Sequence, residues 1–162
     1  MHHPAQPAVL KRPVPPALLD ALVALFEDRF TTAPAMREHH GRDESSYDPM
    51  PPDAVVFAQT TEEVAQAVKL CASHDVPIIP YGTGTSLEGH VLALRGGVTI
   101  DLSQMNKVLA VHAEDLTATV QAGVTRKQLN QEIKDTGLFF PIDPGADASL
   151  GGMAATRASG TN

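Results

Sequence analysis

The sequence contains one cysteine, Cys71, and no tryptophan. A single thiol excludes an internal disulfide, so the fold must rest on burial and hydrogen bonding. No apolar run approaches the roughly 20 residues that cross a bilayer as a helix, so no membrane span is expected. The start lacks a signal-peptide core, and Asp20, Glu27 and Asp28 argue against a transit peptide. The cytoplasm is the expected location. Basic residues are also scarce: 12 Lys and Arg stand against 19 Asp and Glu, a net charge of −7. That balance excludes a general nucleic-acid or anionic-membrane surface. An anionic ligand would have to be held locally, by backbone amides, against the field of the whole chain. What remains is ordinary for a soluble domain of 162 residues, 43% of them hydrophobic, with 13 prolines and 12 glycines to make turns.

The chain is organised around Pro80-Tyr81-Gly82-Thr83-Gly84-Thr85-Ser86-Leu87-Glu88-Gly89-His90. It follows Val76 to Ile79, which reads as a strand. Three glycines and three hydroxyl residues come with no Lys or Arg among them. Glycine permits positive φ and close backbone approach, so successive N–H groups can converge on an anion. Thr83, Thr85 and Ser86 add hydroxyl donors. The functional reading is a pyrophosphate cradle; the alternative is a plain turn. The lysine of a P-loop is absent, and Gly89 comes one residue too late for Gly-x-Gly-x-x-Gly. A nicotinamide-type loop is thereby disfavoured.

Along the chain, Met1 to Pro16 is Pro-rich and expected to be loose, and His2-His3 belongs to that start. Leu18, Leu19, Leu22, Val23, Leu25 and Phe26 follow helical spacing after Pro15-Pro16. From Phe30 to Asp53 periodicity fades. His39, His40, Asp43 and Glu44 have no metal-ligand spacing there and read as a solvated loop. Residues 1–53 are thus an N-terminal extension with one helix, and the main domain begins at Ala54. Ala54 to Ala58 is a strand. Thr60 and Glu63 form a capping box before a helix carrying Val64, Ala67, Val68 and Cys71 on one face. Cys71 reads as a small buried residue. A second strand to Ile79 closes a parallel βαβ unit, whose glycine loop leaves the strand's carboxyl end. Val98 to Leu102 is a further strand. Val108 to His112 and Leu116 to Gln121 form an antiparallel hairpin, and Thr125 caps a helix ended near Gly137. Parallel and antiparallel pieces imply two small sub-sheets in a mixed α/β (α+β) fold.

A second stretch, Pro141 to Asn162, is dense in small residues and nearly without bulk. It carries too little apolar surface for a core. It reads either as a flexible linker or as a bed on which a large flat ligand lies against the backbone. Pro141, Pro144 and Leu150 favour the bed.

Three motifs, in order, carry a resemblance. They are the Pro80 to His90 loop, Gly96-Gly97-Val98-Thr99-Ile100-Asp101-Leu102-Ser103-Gln104-Met105-Asn106, and Phe140-Pro141-Ile142-Asp143-Pro144-Gly145-Ala146-Asp147-Ala148-Ser149-Leu150-Gly151-Gly152-Met153-Ala154-Ala155-Thr156. From about Arg42 onward the chain resembles FAD-linked D-lactate dehydrogenases and glycolate oxidase flavoprotein subunits. These belong to the p-cresol methylhydroxylase / vanillyl-alcohol oxidase (PCMH-type) group. The resemblance implies two α/β subdomains clasping FAD, here incomplete at the C-terminal end, with residues 54–162 as the N-terminal part of that domain. It places Tyr81, Gly82, Thr83, Gly84, Thr85, Ser86, Gly89 and His90 at the pyrophosphate. Pro144, Ser149, Gly151, Gly152, Ala155, Ser159 and Gly160 line the rest of the site. Arg157 stands where many relatives have Asn and is assigned no contact. Non-covalent FAD is implied, since His90 lies two residues past the usual Gly-Gly-His of covalent members. The implied partners are a 2-hydroxy acid, D-lactate foremost, and an electron acceptor, a cytochrome or quinone, which would place the protein at the membrane periphery. The family's substrate-binding histidines and arginine, its base and any metal site lie beyond this chain, so no catalytic or metal residue is assigned within it. The competing expectation is a truncated, non-catalytic product that binds nucleotide or a partner chain.

Overall fold

The computed structural model describes residue 11 and residues 13–159. His2-His3 and Gly160 lie outside the described residues. Helix α1 spans Pro16–Phe26, with proline in its first turn, where a missing N–H costs nothing. Leu18, Leu22 and Phe26 form its fully buried stripe. A 3-10 turn, Glu27–Arg29, leads to the short strand β1, Phe30–Thr31, and helix α2, Pro34–His40. Next come β2 (Ala54–Phe57), α3 (Thr61–Ser73), β3 (Ile78–Tyr81) and β4 (Val98–Asp101). The capping box on α3 is complete. Thr60 Oγ1 accepts from Glu63 N–H, and the Glu63 carboxylate accepts from the Thr60 N–H.

The four strands form one sheet in the order β1-β2-β4-β3, with β1 antiparallel and the others parallel. β2 and β3 run parallel, as the βαβ pattern implies, but β4 lies between them. Every residue of β4 is buried, as a central parallel strand requires. One face of the sheet carries Ala54, Val56, Val98 and Ile100, packed with α1 and with Ala67 and Cys71 of α3. The alternate residues form the opposite face, and Phe57, Asp101 and Tyr81 share one register row across it. Residues before Ala54 belong to this same core through α1 and β1, so no packing boundary falls there.

The segment from Phe30 to Asp53 is not the featureless loop expected, because α2 occupies part of it. In particular, His40 is not solvated: it is 1% exposed and bonded to Asp101.

A second sheet holds only the hairpin β5 (Val108–His112) and β6 (Thr117–Val120). Helix α4 (Arg126–Ile133) packs Leu129 and Ile133 with Val124, Val108, Val120 and Leu150. Thr125 Oγ1 accepts from the Gln128 N–H, as expected for a cap. Gly137 follows a 3-10 turn with φ 75°. The small-residue stretch is corrected here: Leu150–Thr156 forms helix α5, capped by Ser149, with Met153 buried. Gly151 is needed at that point, because a Cβ would sit 2.8 Å from the carbonyl oxygen of Ala122.

Candidate functional site

Strand β3 ends at Tyr81, and the glycine loop leaves the carboxyl end of the parallel sheet, where open α/β sheets bind ligands. Gly84 holds φ 67°, a region that L side chains rarely adopt. Its position leaves no room for a Cβ, which would meet the Tyr81 hydroxyl. Among the described residues, none of the backbone N–H groups of Gly82, Thr83, Gly84, Thr85 and Ser86 donates to a protein acceptor. Five successive amides without an internal partner, on a loop that contains a left-handed glycine, are free to donate to a ligand, as an anion nest requires.

The loop is held from its edges. Glu44 N–H donates to the Ser86 carbonyl at 3.0 Å. Ser86 Oγ lies 2.5 Å from His90 Nδ1, and Thr83 Oγ1 lies 3.1 Å from Thr85 Oγ1. The Tyr81 side chain is buried; burial foremost, then the charges of Asp101 and Asp43, push its hydroxyl above the ordinary 10.0. It therefore stays protonated at neutral pH.

The two glycine stretches meet at this point. Gly82 packs against Ser149 Oγ so closely that a side chain there would collide with it. Between them lies a cavity of about 460 Å³. Its wall includes Tyr81, Gly82, Thr83, Gly84, Thr85, Ser86 and His90 from the first stretch. From the second it includes Pro144, Ser149, Gly151, Gly152 and Ala155. Gly89 is not in that wall; it turns the chain at φ 74° against Tyr47 and Leu92. Ser159 is exposed and stands outside the wall. The sequence reading missed Leu102 and Ala122, which line the cavity from the ends of β4 and the hairpin. No local motif marks an ordinary Leu or Ala as a wall residue. Among the described residues no Lys or Arg lines the cavity, so a phosphate there would be met by amides, hydroxyls and the His90 imidazole.

A larger apolar cavity of about 910 Å³ adjoins it at Met153 and Ala158, among the hairpin, α4 and α5. Among the described residues Arg157 is the one charged residue lining it. Among the described residues no cluster of His, Cys, Asp or Glu is placed to hold a metal ion, and no helix is long and apolar enough to cross a membrane.

A protein-family model described as "FAD binding domain" matches residues 52–162. The chain belongs to that FAD-binding family. Its cofactor is FAD, and the amide nest beside a glycine-walled cleft fits a dinucleotide diphosphate. The FAD-binding chain is 59% identical over 128 residues to a "Probable D-lactate dehydrogenase, mitochondrial" of Danio rerio, covering 79% of this chain and 26% of that protein. It is 46% identical over 150 residues to "D-lactate dehydrogenase [cytochrome], mitochondrial" of Arabidopsis thaliana, covering 91% and 26%. It is 39% identical over 109 residues to the glycolate oxidase subunit GlcD of Bacillus subtilis, covering 64% and 23%. The chain thus spans about a quarter of the length of these relatives. Among solved structures, alkyldihydroxyacetonephosphate synthase matches with a TM-score of 0.83 at 29% identity, covering 93% of this chain and 33% of that one. Substrate-bound p-cresol methylhydroxylase matches with a TM-score of 0.78 at 27% identity, covering 93% and 32%. The fold is accordingly that of a PCMH-type FAD-binding domain.

Proposed function

We propose that this chain is the FAD-binding portion of an oxidoreductase that converts a D-2-hydroxy acid, D-lactate foremost, to the 2-oxo acid. The observation that carries the reading is the convergence of both glycine stretches on one cleft, lined by five residues whose amides have no partner among the described residues. Identities of 59% and 46% to two D-lactate dehydrogenases, against 39% to the glycolate oxidase subunit, favour lactate over glycolate. When bound, FAD supplies the acceptor for the hydride equivalent lost from the hydroxyl-bearing carbon, and a cytochrome or quinone takes the electrons onward.

The residues of this chain bind and orient. Gly82 through Ser86 hold the diphosphate through backbone N–H groups. Gly151 and Gly152 let the ligand approach the first turn of α5. Ser149 joins the two loops, and Ser86 fixes His90 through Nδ1. FAD is held non-covalently. None of these groups removes the hydroxyl proton; that base lies in the rest of the protein.

The test uses the purified full-length protein. Acid precipitation is expected to leave FAD in the supernatant. D-lactate is expected to reduce a dye acceptor with higher kcat/KM than L-lactate, glycolate or D-2-hydroxyglutarate. Preference for another acid overturns the lactate reading, and yellow colour in the pellet overturns non-covalent binding.

A further inference from the structure

His40 and Asp101 form a buried bonded pair, 1% and 4% exposed, that the glycine cradle does not itself require. His40 Nδ1 lies 2.8 Å from the Met36 carbonyl oxygen, which only accepts, so Nδ1 carries a proton. His40 Nε2 lies 2.8 Å from Asp101 Oδ2, and one further proton sits in that contact. The other carboxylate oxygen, Oδ1, accepts from the Ser103 N–H at 2.6 Å. Every polar atom of the pair is thus directed.

The surroundings show what the pair holds. The imidazole lies over the register row at the carboxyl ends of three parallel strands. Its ring centroid is 5.7 Å from that of Phe57 on β2 and 4.4 Å from that of Tyr81 on β3, while Asp101 is on β4. Tyr81 in turn is the surface against which Gly84 packs. A continuous line of contact therefore runs from Asp101 through His40 and Tyr81 to the centre of the loop. His39 Nε2, 3.4 Å from the Tyr81 hydroxyl, adds a second hold from α2.

Burying two ionisable groups is a poor way to gain stability, since apolar side chains of similar volume serve as well or better. Its use is directional, because a bonded imidazole has one orientation where an apolar ring has several.

We infer that His40 and Asp101 are positioning residues for FAD: their bonded pair locks the Tyr81 ring, and that ring sets the Gly84 backbone in its diphosphate-binding conformation. The inference rests on the loop at Gly82 to Ser86 being the diphosphate site.

The test measures FAD dissociation constants of the full-length apoprotein by flavin fluorescence, together with apoprotein melting temperatures. His40→Gln loses the ring contact. Asp101→Leu keeps a similar volume but leaves His40 Nε2 and the Ser103 N–H without a partner. Each is expected to weaken FAD binding about ten-fold or more. Leu22→Ala opens the core on the opposite face of the sheet. It is expected to lower the melting temperature and leave FAD affinity unchanged. If His40→Gln and Asp101→Leu lower the melting temperature as Leu22→Ala does, with unaltered FAD affinity, the pair is only a core contact and the inference is wrong. If His40→Gln does not fold, Asp101→Leu decides by the same criterion. Gly84→Val separates the two readings. Undiminished affinity in that variant removes the loop from the diphosphate site, whereas lost affinity there with normal affinity in the pair variants rejects the brace alone.

Discussion

Single side chains carry two kinds of information in this chain. Cys71 is the simpler case. It sits on the apolar stripe of α3, fully buried, and burial pushes its thiol from 9.0 up to about 11. A rise of that size lowers the thiolate fraction about 100-fold at pH 8, and only the thiolate is nucleophilic. Alkylation by iodoacetamide at that pH is therefore expected to be at least this much slower in the folded protein than in urea. Equal rates would show that the thiol is exposed. The sign for stability follows. The folded state holds its proton where the unfolded state loses it, so this contribution is intact below about pH 9 and declines as pH rises toward 11. Cys71 was legible in the sequence because a regular 3.6-residue stripe contains it. His40 was not. It lies in a seven-residue helix too short to show a period, and its partner is 61 residues away. Nothing local tells a buried, bonded histidine from a solvated one; only the fold brings Asp101 to it.

At the level of elements, the parts read correctly were those with a regular apolar pattern or a cap: helices α1, α3 and α4, strands β2 to β4 and the hairpin. The parts misread were β1, α2 and α5, with two and seven residues. Helix α5 is built of small residues around Met153, and its one sequence cue was Ser149 as an N-cap. Strand order was also hidden, since β4 enters between β2 and β3 after 16 intervening residues (Tyr81 to Val98). Glu63 shows how a cap can tie elements together. Its carboxylate accepts from the N–H groups of Gln59 and Thr60. It also accepts two guanidinium hydrogen bonds from Arg29, at 2.8 and 2.6 Å, joining α3 to the turn after α1. The Arg29 hydrogen bond, foremost, holds this carboxyl below its ordinary 4.5. Glu63→Ala is expected to cost about 1–2 kcal/mol by urea denaturation at neutral pH. A carboxyl depressed in the folded state stabilises above its unfolded value, and the gain is lost as pH falls through the folded value. The gap between the parent and Glu63→Ala should thus be full at neutral pH and close as the pH drops below 4.5. A gap that persists unchanged in acid would assign the effect to packing instead.

At the level of the molecule, binding and chemistry divide. Among the described residues the cradle cavity is lined by two titratable side chains, Tyr81 and His90. Tyr81 is held protonated, and His90 is engaged by Ser86. Two acids of the second glycine stretch are committed: Asp143 pairs with Arg126 at 2.9 Å, and Asp147 accepts from the Lys127 N–H at 3.0 Å. Removing a proton from a substrate hydroxyl needs a base within hydrogen-bond reach, worth roughly 10²–10⁴ in rate. Holding the acid against the flavin is worth a further ~7–11 kcal/mol, and the described residues offer no cationic clamp at the cleft for a carboxylate. The second cavity stays open and apolar, with Phe139 66% exposed beside it. The 162-residue chain with added FAD is therefore expected to reduce a dye with D-lactate no faster than free flavin does. It is also expected to bind a hydrophobic fluorescent probe that the full-length protein does not. Saturable D-lactate oxidation by these residues alone would place a substrate site among them, and the division between cofactor binding here and proton transfer elsewhere would fall.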